Sequence, residues 1–218
     1  MVWNNIVEYT PILLDGAVIT VMITVGALII STPLGFVWAM LKRSRYRPVS
    51  LIASSVINVV RGLPMIVLLF YIYFVFPDVG IRLTSLQASI IGLGFGYSTY
   101  VAEVFRSGIE AVDPGQMEAA QSIGMGRIKA MIRVVLPQAF RVALPPYSST
   151  LVMMLKDSAI ASTIAVAEMT RQGQLIAAST FQNTTVYTMV AVFYLAMSLP
   201  MMRITKILER RFGKHEMT

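Results

Sequence analysis

The sequence predicts an all-α integral membrane protein: one transmembrane domain over residues 1–218, with five membrane-crossing helices. Three observations carry this reading. The 218 residues are 56% hydrophobic and only 13% charged, with a mean hydropathy of +0.70, which is too apolar for a soluble domain of this size. Five apolar runs approach or exceed the roughly 20 residues that cross a hydrocarbon core. Lysine and arginine concentrate in alternate connections between those runs, as they do on the cytoplasmic side of a membrane.

The runs are 17–41, 49–76, 86–105, 144–167 and 186–202. The first has no charge. The second holds Arg61 in Val59-Val60-Arg61-Gly62-Leu63-Pro64, the third ends near Glu103, and the fourth contains Lys156-Asp157. Pro33 and Pro200 fall inside runs, where neighbouring helices can satisfy the freed carbonyl.

Orientation follows from the basic residues. Lys42, Arg43, Arg45 and Arg47 follow the first run. Arg106, Arg127, Lys129, Arg133 and Arg141 follow the third. Arg203, Lys206, Arg210, Arg211 and Lys214 follow the fifth. This pattern predicts an outer N-terminus and a cytoplasmic C-terminus. It also assigns the net charge of +7 to a membrane surface rather than to nucleic acid. The opening Met-Val-Trp-Asn-Asn lacks a basic stretch, so the first run is not expected to be a removed signal peptide. The outer connections are Pro77 to Ser85 and Glu168 to Thr185, the second long enough for an amphipathic segment.

The segment 112–141 is polar and patterned. Pro114-Gly115 starts a short helix over Gln116 to Ile123, which Gly124 and Gly126 break. Ile128, Met131, Ile132 and Val135 then repeat at helical spacing, with Lys129 and Arg133 on another face. Pro137 is expected to end this second helix. Ala119 and Ala120 leave a low ridge beside Glu118, suited to close approach by a partner whose arginine pairs with the carboxylate. An interfacial helix pair resting on lipid headgroups fits the same spacing.

Charges inside runs are costly and mark functional positions by default. Glu103 and Arg106 stand three apart and are expected to pair. Lys156 and Asp157 point about 100° apart on a helix, so they do not simply neutralise each other. Arg61 precedes a Gly-x-Pro that loosens the helix and exposes carbonyls beside a guanidinium. These three charges either pair between helices or across a dimer, or they contact a substrate. A zwitterion needs both signs. Asn58, Ser98, Thr99 and Tyr100 add hydrogen-bonding groups nearby.

Other signals exclude functions. Gly92-Leu93-Gly94-Phe95-Gly96 lies in an apolar run and reads as a close-packing G-x-x-x-G. No G-x-x-x-x-G-K-[ST] occurs, so a P-loop for ATP is absent. With no cysteine and a single histidine, His215, no typical zinc site is expected, and no catalytic constellation supports an enzyme. Fifteen methionines lack regular spacing and read as gap-filling or lipid-facing. Arg210-Arg211 and Lys214 read as an anchor at anionic lipid.

Glu118-Ala119-Ala120, Gly124 four residues after the second alanine, and a helix reaching Leu136-Pro137 resemble the EAA loop of ABC-importer permeases. The likeness runs from about Leu14 to Phe212. Arg61-Gly62-Leu63-Pro64 is similar to the Arg-Gly-Thr-Pro run of polar amino acid permeases, and the stretches around Tyr97 to Ala120 and Leu155 to Gln174 are similar to their later segments. Leu63 stands where threonine is usual, and Ser98-Thr99 where glycine or alanine is common. These departures touch substrate identity.

The resemblance implies the type I ABC importer permease fold in a bacterial inner membrane. It implies that Glu118, Ala119, Ala120, Gly124, Leu136 and Pro137 belong to a coupling helix docking on an ATPase subunit. It implies a substrate cavity lined by Asn58, Arg61, Ser98, Thr99, Tyr100, Lys156 and Asp157. The expected partners are two ATP-binding subunits carrying ATP and magnesium, a second permease chain identical or similar to this one, an extracytoplasmic solute-binding protein and membrane lipid. No cofactor or metal is expected on this chain. The expected cargo is a polar amino acid. Another small zwitterion such as cystine, an opine or a compatible solute fits the same machine, and an ATP-independent transporter or channel is the rival class.

Overall fold

Proline and glycine placement decides where the apolar runs bend. The computed structural model describes residues 2–212, with side chains from Ile6 onward; Lys214 and His215 lie outside the described residues. Every regular element among these residues is helical.

Helix α1 spans Val2–Lys42 without interruption, through Pro11 and Pro33. It begins well before the expected start at residue 17. At 1.5 Å per residue it is about 60 Å long, twice a hydrocarbon core of about 30 Å. The Ser50 hydroxyl donates to the Lys42 carbonyl at 2.7 Å and ties this end to the next helix, α2 (Arg47–Gly62).

The expected run 49–76 is not one helix. Leu63 is extended (φ −93°, ψ 140°), because the ring of Pro64 crowds the residue before it out of the α region. The chain resumes as α3 (Met65–Phe70), a π turn (Tyr71–Val75) and a 3-10 turn (Phe76–Val79). The two limbs meet at 104°. Arg61 therefore sits in the last turn of a broken helix.

Helix α4 (Ser85–Glu110) starts on a capping box, Thr84 and Gln87 exchanging side-chain and backbone bonds. Helix α5 (Pro114–Ser122) follows. Next comes α6 (Arg127–Ala130), which runs through a π turn (Met131–Val135) into α7 (Leu136–Asp157). Pro137 thus opens α7 rather than ending a helix. The wider π turn just before it accommodates a ring that would otherwise press on the carbonyl four residues back. The expected run 144–167 is displaced accordingly: its α-helix stops at Asp157 and tightens to a 3-10 turn (Ser158–Ile164). Lys156-Asp157 lies at a helix end, not in mid-helix.

Helix α8 (Met169–Thr180) occupies the expected amphipathic segment, and α9 (Asn183–Phe212) ends the described chain. The N-cap of α8 is Glu168, fully buried. It accepts from the Arg171 amide at 2.7 Å, the Thr170 amide at 2.9 Å and the Tyr194 hydroxyl at 3.0 Å. The Met169 amide donates to the Thr20 hydroxyl of α1 at 3.3 Å, so α1, α8 and α9 meet there. Glu168→Ala removes a helix cap and strands buried donors; we expect a loss of about 2–4 kcal/mol, read as a fall in the unfolding midpoint of the detergent-purified protein. An unchanged midpoint would show that the cap is dispensable.

By length and composition, α1 and α9 can each cross a membrane. Each of the two bent pairs qualifies if taken as one broken span. Helix α4 owes its lower hydropathy to glycine, serine and threonine. It needs less apolar character because α1, α2, α3 and α7 pack around it. Lipid tails give helices no hydrophobic reason to associate, so close van der Waals fit decides. A Cβ at Gly96 would stand 2.6 Å from Met65 Sδ, and one at Gly94 2.8 Å from Ile30 Cβ. Gly92 and Gly96 accept α3; Gly94 accepts α1. The core around Leu69, Leu93, Tyr97, Met154 and Ala161 forms where these helices converge.

Candidate functional site

Helices α2, α4 and α7 bring three of the expected polar positions into one row. The Arg61 guanidinium carbon lies 5.2 Å from the centroid of the Tyr100 ring, where the ring's negative face attracts a cation. The rings of Tyr100 and Tyr97 are 5.8 Å apart. The Tyr97 hydroxyl donates to Asp157 Oδ2 at 2.7 Å, a short bond of the charge-assisted kind when Asp157 is ionised. A cation and a carboxylate are thus joined through two phenols whose rings are tilted 42° to each other.

Arg61 is exposed, Tyr100 and Asp157 are half-buried, and Tyr97 is buried. The row therefore opens towards Arg61 and is anchored at Tyr97. Asn58 is exposed one turn before Arg61, on the same side of α2. Lys156 is exposed and has no acidic partner among the described residues.

Two expected members do not join. The Ser98 hydroxyl donates to the Phe95 carbonyl at 2.6 Å and the Thr99 hydroxyl to the Gly96 carbonyl at 2.7 Å. Both side chains are fully buried. Their hydroxyls close bonds within α4, the usual outcome for serine and threonine in a helix shielded from water. Tyr97, which sequence reasoning did not single out, takes their place. Its signal was its spacing: it stands three residues before Tyr100, on the same face.

A second cluster ties helix ends. Glu103 accepts from Lys42 at 2.6 Å and pairs with Arg106 at 2.8 Å. Glu110 pairs with Arg106 and, at 3.4 Å, with Arg43. The expected Glu103–Arg106 pair is present, with Lys42 from α1 added to it.

The polar insert is built for rigidity at its turn. Asp113 caps α5 by accepting from the Gly115 amide at 2.6 Å. At the other end the Gly124 amide donates to the Gln121 carbonyl at 2.9 Å and the Met125 amide to the Ala120 carbonyl at 3.1 Å. These are the paired bonds of a Schellman stop. Gly124 has φ +84° and open space around it, so its requirement is conformational, not steric. Glu118 and Ala119 are exposed, while Ala120 is buried and faces the chain. Leu136 is half-buried and Pro137 exposed at the start of α7. Gln138 of α7 donates to Gln116 of α5 at 3.3 Å. A cleft of about 440 Å3 separates α5 from the 127–135 helix and is edged by Glu118, Gln121 and Arg127.

No cluster of three or more metal-ligating side chains occurs among the described residues. Helices fitted through small residues, a cation–carboxylate row between them and a capped polar insert define a membrane transport component. Residues 31–214 match the family described as binding-protein-dependent transport system inner membrane component, and the chain belongs to that family. It is 33% identical over 215 residues to the L-cystine transport system permease protein TcyB of Bacillus subtilis (strain 168), covering 98% of this chain and 92% of that one. It is 32% identical over 220 residues to the glutamine transport system permease protein GlnP of Escherichia coli (strain K12), covering 96% of each. A crystal structure of an amino acid ABC transporter with histidines superposes with a TM-score of 0.88 at 39% identity, over 95% of this chain and 97% of that one.

Proposed function

We propose that this chain is the inner-membrane permease of an ATP-driven importer for polar amino acids, with the Arg61–Tyr100–Tyr97–Asp157 row as its share of the substrate site. The observation that carries the reading is that row: one cation and one carboxylate, on different helices, linked through aromatic rings and open at one end. A zwitterionic amino acid presents the matching pair of charges. Asn58 stands beside Arg61 at the opening, and Lys156 is exposed next to Asp157 at the other end.

The rest of the machine follows. Helices α1, α4 and α9, the bent α2–α3 pair and α7 make five spans, with α8 an amphipathic segment on the outer side, N-terminus outside and C-terminus in the cytoplasm. The basic ends of α1, α4 and α9 then share the cytoplasmic side. So few helices do not enclose a path, so a second permease chain, identical or similar, completes it. Two ATPase subunits, holding ATP and magnesium, dock on the inserts through Glu118, Ala119 and Gly124, with Leu136 and Pro137 at the base. A solute-binding protein delivers cargo from outside, and this chain itself is not an enzyme. Transport proceeds by alternating access, driven by whatever contacts differ between the two states.

The test is uptake into proteoliposomes containing this chain co-purified with its ATPase and second permease, supplied with binding protein. We expect accumulation of a polar amino acid only with ATP inside the reach of the ATPase subunits. Uptake that persists without ATP would point to a channel or secondary transporter instead. Cystine belongs on the same substrate panel, because TcyB, a cystine permease by name, matches nearly the whole chain.

A further inference from the structure

Outside the Arg61–Asp157 row, the molecule carries an apolar groove. It has a volume of about 550 Å3 and runs between α1, α4 and α7, walled by Phe36, Phe105, Leu136 and Phe140. Thr32 supplies a hydroxyl, and that hydroxyl is already taken by the Leu28 carbonyl at 2.9 Å and the Tyr147 hydroxyl at 2.6 Å. A polar ligand finds no free partner there.

The groove does not end blindly. Ile132 lines it and also lines a second hollow bounded by Arg127, Lys129 and Arg133. Arg127 also edges the acid-bearing cleft of α5. Lys129 and Arg133 are exposed and have no acidic partner among the described residues. They stand four apart on one face of the helix, so two unneutralised cations line the hollow that meets the apolar groove at Ile132.

The dimensions agree with one kind of occupant. From Ile132 to Ala143 the groove follows about 16 Å of helix at 1.5 Å per residue. One leaflet of hydrocarbon is about 15 Å deep. Charge at one end, then one leaflet of apolar wall, is the profile of a phospholipid standing upright against the protein.

We propose that this groove binds an anionic phospholipid, its headgroup held by Lys129 and Arg133 and an acyl chain lying against Phe140, Phe36 and Phe105. The occupant is lipid rather than a second permease chain because the two cations at the mouth match a phosphodiester and leave a neutral apolar helix nothing to pair with. The site touches both the α6 limb of the insert and the base of α7, so the lipid braces that joint. Nothing in this inference depends on the cargo or on the ATPase.

Photocrosslinking tests it on the whole complex in vesicles of phosphatidylethanolamine with a minor share of phosphatidylglycerol. Phe140 is 57% exposed and is replaced by p-benzoylphenylalanine. The expected product is a lipid adduct in which phosphatidylglycerol exceeds its bulk share. Each surface cation is worth about fivefold in binding an anionic headgroup, so K129Q/R133Q lowers the preference about 25-fold and returns the adducts to bulk proportions. A crosslink to the second permease chain, adducts in bulk proportion in the parent protein, absence of any lipid adduct, or an unchanged preference in the double variant overturns the proposal. Because both substituted cations are exposed, the crosslink reads the site and not the fold.

Discussion

Asp157→Ala is expected to reduce substrate-stimulated uptake by the reconstituted importer by about 10- to 100-fold, the range set by losing a charged hydrogen-bonding group. Two losses combine. The carboxylate that would face the amino group of the cargo disappears, and the buried Tyr97 hydroxyl loses the acceptor it holds at 2.7 Å. Tyr97→Phe separates them. It keeps the carboxylate and removes only the tether, so its effect is expected to be about fivefold or less. Arg61→Ala should resemble Asp157→Ala in uptake while leaving protein yield unchanged, because Arg61 is exposed and its contact is with a ring face. The measurement is initial uptake rate against substrate concentration, alongside recovery of the intact complex. Kinetics unaltered in both alanine variants would remove the row from the transport path.

Gly124→Val is expected to uncouple the machine. At φ +84° a side chain costs about 1–2 kcal/mol, more for a β-branched one. The strain is relieved by giving up the Schellman bonds to Gln121 and Ala120. The end of α5 then no longer points in a fixed direction. Glu118→Ala acts differently: the helix persists, but an exposed carboxylate available to a partner's arginine is gone. Both variants should still insert and be recovered at parental levels. ATP-driven uptake should fall about tenfold or more in Glu118→Ala, the loss of one charged interface bond being worth that much, and at least as far in Gly124→Val, where the whole end of α5 loses its direction. ATP hydrolysis by the co-purified subunits should continue while its response to substrate is lost. Normal transport in both variants would remove the insert from the coupling path.

Much of this architecture could be read from the chain because its strongest signals are local. Apolar length and the glycine stop at Gly124 depend on neighbours in sequence. What escaped notice lay partly in the local backbone at prolines and partly in neighbours in space. Pro137 was legible as a breaker, yet a π turn before it let the helix continue. The run 49–76 had the length of a span, but Pro64 turned the chain by 104°. Ser98 and Thr99 looked available as side chains because polar residues in an apolar run invite that reading. Inside a packed helix bundle the nearest acceptor is the helix's own carbonyl, and it took both. Tyr97 was not singled out; it is core, apart from the one oxygen that reaches Asp157.

Helix α1 has a consequence of its own. Near its start, Tyr9 and Leu13 are buried with Met169, Ile176 and Val186 of α8 and α9. At its end, Lys42 and Arg43 are clamped to Glu103 and Glu110. It is therefore a connecting rod pinned at both ends. A helix resists stretching, so a displacement imposed at the clamped basic end is delivered at the other pin, about 45–50 Å away, rather than absorbed along the way. What compliance it has lies at its prolines, where a backbone hydrogen bond is missing, and Pro33 stands close to the clamp. In the proposed alternating-access cycle, the stiffness of the Pro33 joint would set how much of a displacement at the clamp reaches Tyr9 and Leu13.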